Sequence, residues 1–83
     1  MRVRIRLFAA LREELGETEK AMELPSGATV ADAWDALAGE RPALRTRRTG
    51  LAAAVNRRYA PFDTPLQEND ELVFIPPVSG GSR

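Results

Sequence analysis

Glu71-Leu72-Val73-Phe74-Ile75-Pro76-Pro77-Val78-Ser79-Gly80-Gly81 is the stretch on which the reading of this chain turns. Its first half places four large apolar residues in a row after the polar turn Gln67-Glu68-Asn69-Asp70. A short run of that kind, rich in β-branched and aromatic residues, predicts a strand with both faces kept from water. Pro76 and Pro77 then forbid the strand from continuing, and Gly80-Gly81 adds the largest backbone freedom available. The expected organisation is one domain over residues 1–78 and a flexible Gly-Gly tail over residues 79–83, with Ser82-Arg83 as a two-residue extension.

Working outward, the other end of the chain supplies a second strand. From Arg2 to Phe8 the residues alternate, with Arg2, Arg4 and Arg6 on one face and Val3, Ile5 and Leu7 on the other. That period of two predicts a half-buried strand. Ala9 to Gly16 changes period: Leu11 and Leu15 stand a helical turn apart, and Gly16 suits a left-handed stop. Lys20 to Leu24 reads as a weaker strand, with Ala21 and either Met22 or Leu24 turned inward, ended by the turn Pro25-Ser26-Gly27-Ala28.

The clearest helix begins at Thr29, whose side chain can form a capping box with Asp32. Val30, Ala33, Trp34, Leu37 and Ala38 follow as one apolar stripe, and Pro42 stops the pattern. Pro42 to Gly50 reads as a loop or a short irregular helix of little apolar weight. Leu51 to Val55 resumes as a strand, Asn56-Arg57-Arg58 as a reverse turn, and Phe62 and Leu66 as inward anchors of a winding segment. One sheet with a main helix on one face is an α+β two-layer domain. With the first and last strands side by side as a central parallel pair, it becomes a β-grasp (ubiquitin-like) fold with a mixed sheet.

Composition narrows the chemistry. The 83 residues contain no cysteine and no histidine, which removes the thiol nucleophile, the disulfide scaffold and the commonest base and metal ligand. Twelve basic residues balance twelve acidic ones, so no net field attracts a nucleic acid or an anionic membrane. No apolar run approaches the roughly 20 residues of a bilayer span. The N-terminus is unlike a secretory signal, so the expected location is cytoplasmic. The carboxylates form no recognisable acid–base pair, so this chain is not expected to be an enzyme on its own.

What remains is the tail. A glycine pair threads a narrow channel because no Cβ obstructs it, and Pro76 to Gly81 can extend about 20 Å at roughly 3.3 Å per residue. At the tail's root, Phe8, Tyr59 and Ile75 can form an exposed apolar patch of the kind that marks a partner surface. The plainer alternative is that residues 42–50 and 56–66 fold back over that face. Arg45, Arg47, Arg48, Arg57 and Arg58 read as a solvated face, with a basic patch for an acidic partner as the second choice. Arg2, Arg4 and Arg6 need acidic neighbours, for which Glu19, Glu23 and Glu71 are available across the strands.

At this point the residues resemble a family. Leu7-Phe8-Ala9-Ala10-Leu11-Arg12-Glu13, Leu51-Ala52-Ala53-Ala54-Val55-Asn56 and Phe62-Asp63-Thr64-Pro65-Leu66, together with Asp70 through Gly81, are similar to the small subunit of molybdopterin synthase. The resemblance implies a ubiquitin-like sulfur carrier. An adenylating (E1-like) enzyme would use ATP to activate the terminal glycine carboxylate, which is converted to a thiocarboxylate. The large subunit of the synthase would then receive the tail and pass sulfur to a pterin precursor in molybdenum cofactor biosynthesis. Carried over, Gly81 bears the sulfur, Gly80 gives steric room beside it, and Phe8, Tyr59, Ile75, Pro76 and Pro77 meet the partner. The resemblance implies no cofactor bound by this chain itself.

Two departures stand out. Asn69-Asp70 replaces the family's Gly-Asp, which asparagine tolerates because it adopts the left-handed conformation. Ser82-Arg83 follows the glycine pair, whereas the family ends on the second glycine and needs that carboxylate free. Either a C-terminal processing protease removes the two residues, or they are foreign to the native chain, or this copy has stopped carrying sulfur; trimming is the expectation. The rival functions are a sulfur carrier for thiamine, cysteine or tRNA thiolation, conjugation to lysines, and a non-covalent ubiquitin-like interaction module.

Overall fold

The computed structural model describes residues 1–77. The chain runs β1 (Arg2–Leu7), α1 (Ala9–Leu15), β2 (Glu19–Glu23), α2 (Val30–Glu40), a 3-10 segment (Pro42–Arg47), β3 (Ala52–Val55), β4 (Arg58–Tyr59) and β5 (Glu71–Ile75). The five strands form one sheet in the order β2-β1-β5-β3-β4. β1 and β5 pair in parallel at the centre, and the other neighbours are antiparallel. This is the mixed β-grasp sheet that the two ends of the chain predict.

Alternation in the strands sets the two layers. Val3, Ile5 and Leu7 face the same side as Leu72 and Phe74, because Ile5 lies opposite Leu72 and Leu7 opposite Phe74. All five are buried against the stripe Val30, Ala33, Trp34, Leu37 and Ala38 of α2. The Trp34 ring meets Phe74 edge-on at 5.0 Å between centroids, a favoured aromatic geometry. Thr29 and Asp32 form the reciprocal capping box: the Thr29 N–H donates to Asp32 Oδ2 at 2.9 Å, and the Asp32 N–H to Thr29 Oγ1 at 3.3 Å. Gly16 ends α1 in the left-handed region at φ 73°, donating its N–H to the Arg12 carbonyl.

Two of the three arginines on the outer face of β1, Arg2 and Arg6, are paired across strands. Arg2 Nε donates to Glu23 at 2.8 Å, and Arg6 stands 3.7 Å from Glu71.

Four expectations need correction. Ala21 is exposed, opposite Arg4 on the helix-free face, while both Met22 and Leu24 are buried. Arg58 belongs to β4 and not to the turn: Asn56 (φ 51°) and Arg57 (φ 72°) are the two left-handed residues of a tight hairpin that pairs Val55 with Arg58. A two-residue strand is too short for alternation to reveal. The 3-10 segment carries real apolar weight, because Leu44 is fully buried. Phe62 is only half-buried; it stacks on Phe74 at 6.0 Å between centroids, with the Arg48 guanidinium 3.7 Å from its ring. Leu66 is an inward anchor as expected.

Candidate functional site

The side of the sheet away from α2 has no second layer among the described residues. The 3-10 segment packs on α2 and α1. Residues 62–66 run along the start of α2: the Val30 N–H donates to the Thr64 carbonyl, the Ala31 N–H to Phe62, and the Leu66 N–H to Ala28. The 3-10 segment and residues 62–66 therefore go to the helix side, and among the described residues the helix-free face stays open.

Register shows what that face presents. Arg6, Val73, Ala54 and Tyr59 form one row across β1, β5, β3 and β4. Ala52 and Ile75 form the next row on the same face. The two alanines leave a shallow apolar floor, with Val73 packed into it and Tyr59 standing 79% exposed at its margin. Phe8 follows β1 at the end where Ile75 closes β5, and is 42% exposed. At about 4.8 Å per strand, Tyr59 is three spacings, about 14 Å, from the β1 end of the row. Phe8 and Ile75 thus share one end of the central parallel pair, whereas Tyr59 sits two strands from β5 on the same face.

The hairpin that carries Tyr59 is locked to β5 by polar groups. Asn56 Nδ2 donates to Asp70 Oδ1 at 2.9 Å, and the Glu71 N–H donates to Asn56 Oδ1 at 3.0 Å. The second Asp70 oxygen accepts the Gln67 N–H at 2.8 Å. Asp70 is the buried polar side chain among the described residues, and every oxygen it buries has a donor. Asn69 takes the left-handed conformation expected of it, at φ 68°, and its N–H donates to the Arg2 carbonyl. At the rim of the face, Glu71 also lies between Arg6 and Arg57, 3.7 Å from each.

The tail leaves the sheet at the same end. Pro76 is half-buried and Pro77 exposed. They line a cleft of about 580 Å³ together with Ala9, Ala10, Thr46, Arg47 and Thr49. Gly50 fixes one wall: its φ is 77°, and a Cβ there would stand 3.2 Å from Pro77 Cγ. Only glycine meets both demands comfortably. Gly80, Gly81, Ser82 and Arg83 lie outside the described residues, as does the boundary expected after residue 78.

Sequence reasoning named Phe8, Tyr59, Ile75, Pro76 and Pro77 but missed Val73, Ala52, Ala54 and Gly50. Parity with Ile75 was the signal for Val73; the alanines needed the β3–β5 register. Gly50 had no sequence signal beyond its type, since its neighbour Pro77 is far away in the chain. Among the described residues, no group of three metal-ligating side chains comes together, and no helix is long and apolar enough to cross a membrane.

Comparison with known proteins agrees with this architecture. The ThiS family model matches residues 5–81, and the chain belongs to the ThiS family. It is 35% identical over 79 residues to the molybdopterin synthase sulfur carrier subunit of Arabidopsis thaliana, covering 95% of this chain and 82% of that one. The protein of the same name from Mycobacterium tuberculosis is 37% identical over 82 residues, covering 98% and 99%. Among solved structures, small archaeal modifier protein 1 (SAMP1) from Haloferax volcanii superposes with a TM-score of 0.87 at 34% identity, covering 98% of this chain and 100% of that one.

Proposed function

We propose that this protein is the sulfur-carrier subunit of a molybdopterin synthase. The observation that carries the reading is the position of the tail's root, at the end of the parallel pair where Phe8 and Ile75 flank an apolar face that no second layer covers among the described residues. A partner seated on that face meets the departing chain at Pro76 and Pro77. The sulfur-carrier names of the Arabidopsis and mycobacterial relatives support the same reading.

In this reading Ser82 and Arg83 are first removed by hydrolysis, freeing the Gly81 carboxylate. That carboxylate attacks the α-phosphorus of ATP on an activating partner, giving an acyl adenylate and releasing pyrophosphate. A donor at the sulfide level, hydrosulfide or its equivalent, then attacks the acyl carbon through sulfur, the bond from that carbon to the adenylate oxygen breaks, AMP leaves, and the product is a Gly81 thiocarboxylate. The large subunit takes the loaded tail and passes the sulfur to a pterin precursor. Gly80 leaves room on both partners, while Phe8, Tyr59, Val73 and Ile75 provide docking area. The chain contributes a reactive terminus and a surface; partners contribute the acid, base and nucleotide chemistry. This division of labour suits a sequence without histidine or cysteine.

Deletion from Gly81 onward tests the reading. In a host lacking its own carrier, the truncated chain is expected to yield no molybdenum cofactor while melting at the same temperature as the intact protein. Cofactor production that survives the deletion overturns the proposal. Intact-mass measurement on protein from active cells is expected to show a species ending at Gly81, with sulfur replacing one carboxylate oxygen.

A further inference from the structure

The sequence contains a single lysine, Lys20, against eleven arginines. Both side chains carry positive charge, but only lysine deprotonates to an amine that can be acylated; the guanidinium stays protonated. In a chain whose terminus becomes an activated acyl group, each lysine on its own surface is a competing acceptor. Substitution of arginine for lysine removes acceptors without removing charge. Composition by itself does not carry the point; the surroundings of the remaining lysine do.

Lys20 lies in β2 opposite Ile5, so its side chain leaves the sheet on the helix side. There Nζ stands 3.0 Å from Glu40 Oε1 and 3.9 Å from Glu17 Oε2, and the side chain is 22% exposed. Glu40 is the last residue of α2, where the negative end of the helix disfavours a carboxylate and a cation offsets the conflict. The hydrogen bond to Glu40 and the Glu40 charge, helped by Glu17, hold the Lys20 ammonium above its ordinary pKa against a smaller desolvation effect.

We propose that Glu17 and Glu40 are positioning residues that make the chain's one lysine a poor acyl acceptor, so that an activated terminus passes to partner molecules and not to another copy of this chain. The inference rests on the carrier reading above. In the disfavoured reaction, a neutral Nζ lone pair forms a bond to the acyl carbon, the bond from that carbon to the adenylate oxygen breaks, AMP leaves and Nζ loses a proton. An ammonium has no lone pair to give. The two carboxylates stabilise that form, and the largely covered stem restricts approach to Nζ.

Acetylation by N-hydroxysuccinimidyl acetate tests this without any partner enzyme, with peptide mapping to isolate the rate at Lys20. Wild-type Lys20 is expected to react more slowly than Nα-acetyl-lysine amide across the alkaline range. The Glu17→Gln/Glu40→Gln double variant, shown by circular dichroism to be folded, is expected to gain about two- to fivefold, the scale of an exposed ion pair. Its rate–pH profile should also move to lower pH. A wild-type rate equal to that of the free amide, or a double variant no faster than wild type, overturns the proposal. In a second arm, chain ending at Gly81 is incubated with the adenylating partner and ATP. Lys20-linked dimer from the wild type also overturns the proposal. If neither form is adenylated, the carrier reading falls and the acetylation rates still decide the protection of Lys20.

Discussion

The two faces of one sheet are built from the same strands and do opposite things. On the helix side Val3, Ile5, Leu7, Leu72 and Phe74 are fully or almost fully buried and hold α2. One residue further along each strand, Arg6, Val73 and Ile75 look the other way, with Ala52 and Ala54 between Val73, Ile75 and the Tyr59 edge. The first face is closed by packing, and its energy goes into the fold. The second is apolar at its centre, charged at its rim and covered by no second layer among the described residues, so whatever free energy its burial supplies is left for association. The difference is one of parity. A shift of one residue in the β1–β5 register would exchange the two roles.

The largest expected effect tests the closed face. Phe74→Ala removes a side chain with no exposure that meets both Trp34 and Phe62. Urea unfolding is expected to show a loss of about 3–5 kcal/mol, a large share of what a small domain has. Its neighbour sharpens the contrast. Ile75→Glu, half-buried on the open face, should cost about 1 kcal/mol of stability or less, yet weaken binding to the proposed large-subunit partner by about 2 kcal/mol, or some thirtyfold. Titration calorimetry alongside unfolding measures both. Equal stability losses at positions 74 and 75 would break the distinction between the faces.

Next in size is the joint that keeps the Tyr59 hairpin in place. Asp70→Ala leaves the Asn56 side-chain amide and the Gln67 N–H without their acceptor at a part-buried joint. A cost of about 1–3 kcal/mol follows, with amide exchange quickened at Asn56 and in β4. Protection unchanged at those amides would show that register alone holds the hairpin.

The smallest effect concerns the edge strand β2. The Lys20 pKa is raised from 10.5 by its hydrogen bond to Glu40. Because the folded value lies above the unfolded one, the pair contributes stability fully below pH 10.5 and loses it as the pH rises through the higher folded value. The difference in melting temperature between wild type and Glu40→Gln should therefore be constant near neutrality and shrink in strong alkali. A difference that grows with pH would contradict the sign.

Much of this was legible from local pattern. The alternation of Arg2–Leu7, the stripe of α2, the capping box at Thr29 and the left-handed stop at Gly16 depend on near neighbours, so the sequence displays them directly. β4 was hidden because two residues carry no period. Leu44 was hidden because one apolar residue among arginines has no pattern, although it is fully buried under α2. Ala21 was misjudged because alanine suits either face; its partner Arg4 settles which. In the candidate site, Phe8, Tyr59 and Ile75 were readable as large apolar residues near the tail, and Ala52 and Ala54 were not, since small residues become a surface only beside their neighbours.

By itself the sequence determined the class of the molecule: a two-layer domain without histidine or cysteine, carrying the glycine pair Gly80-Gly81 shortly after Pro76-Pro77. Those properties follow from composition, period and backbone freedom, all local. Tertiary structure alone decided that the 3-10 segment Pro42–Arg47 and residues 62–66 pack on the helix side, that Gly50 lies against Pro77, and that Lys20 lies between Glu17 and Glu40. Each of these joins residues distant in the chain or on different elements. Their pairing is fixed by the sheet order and by which side each segment covers, and no local propensity encodes that.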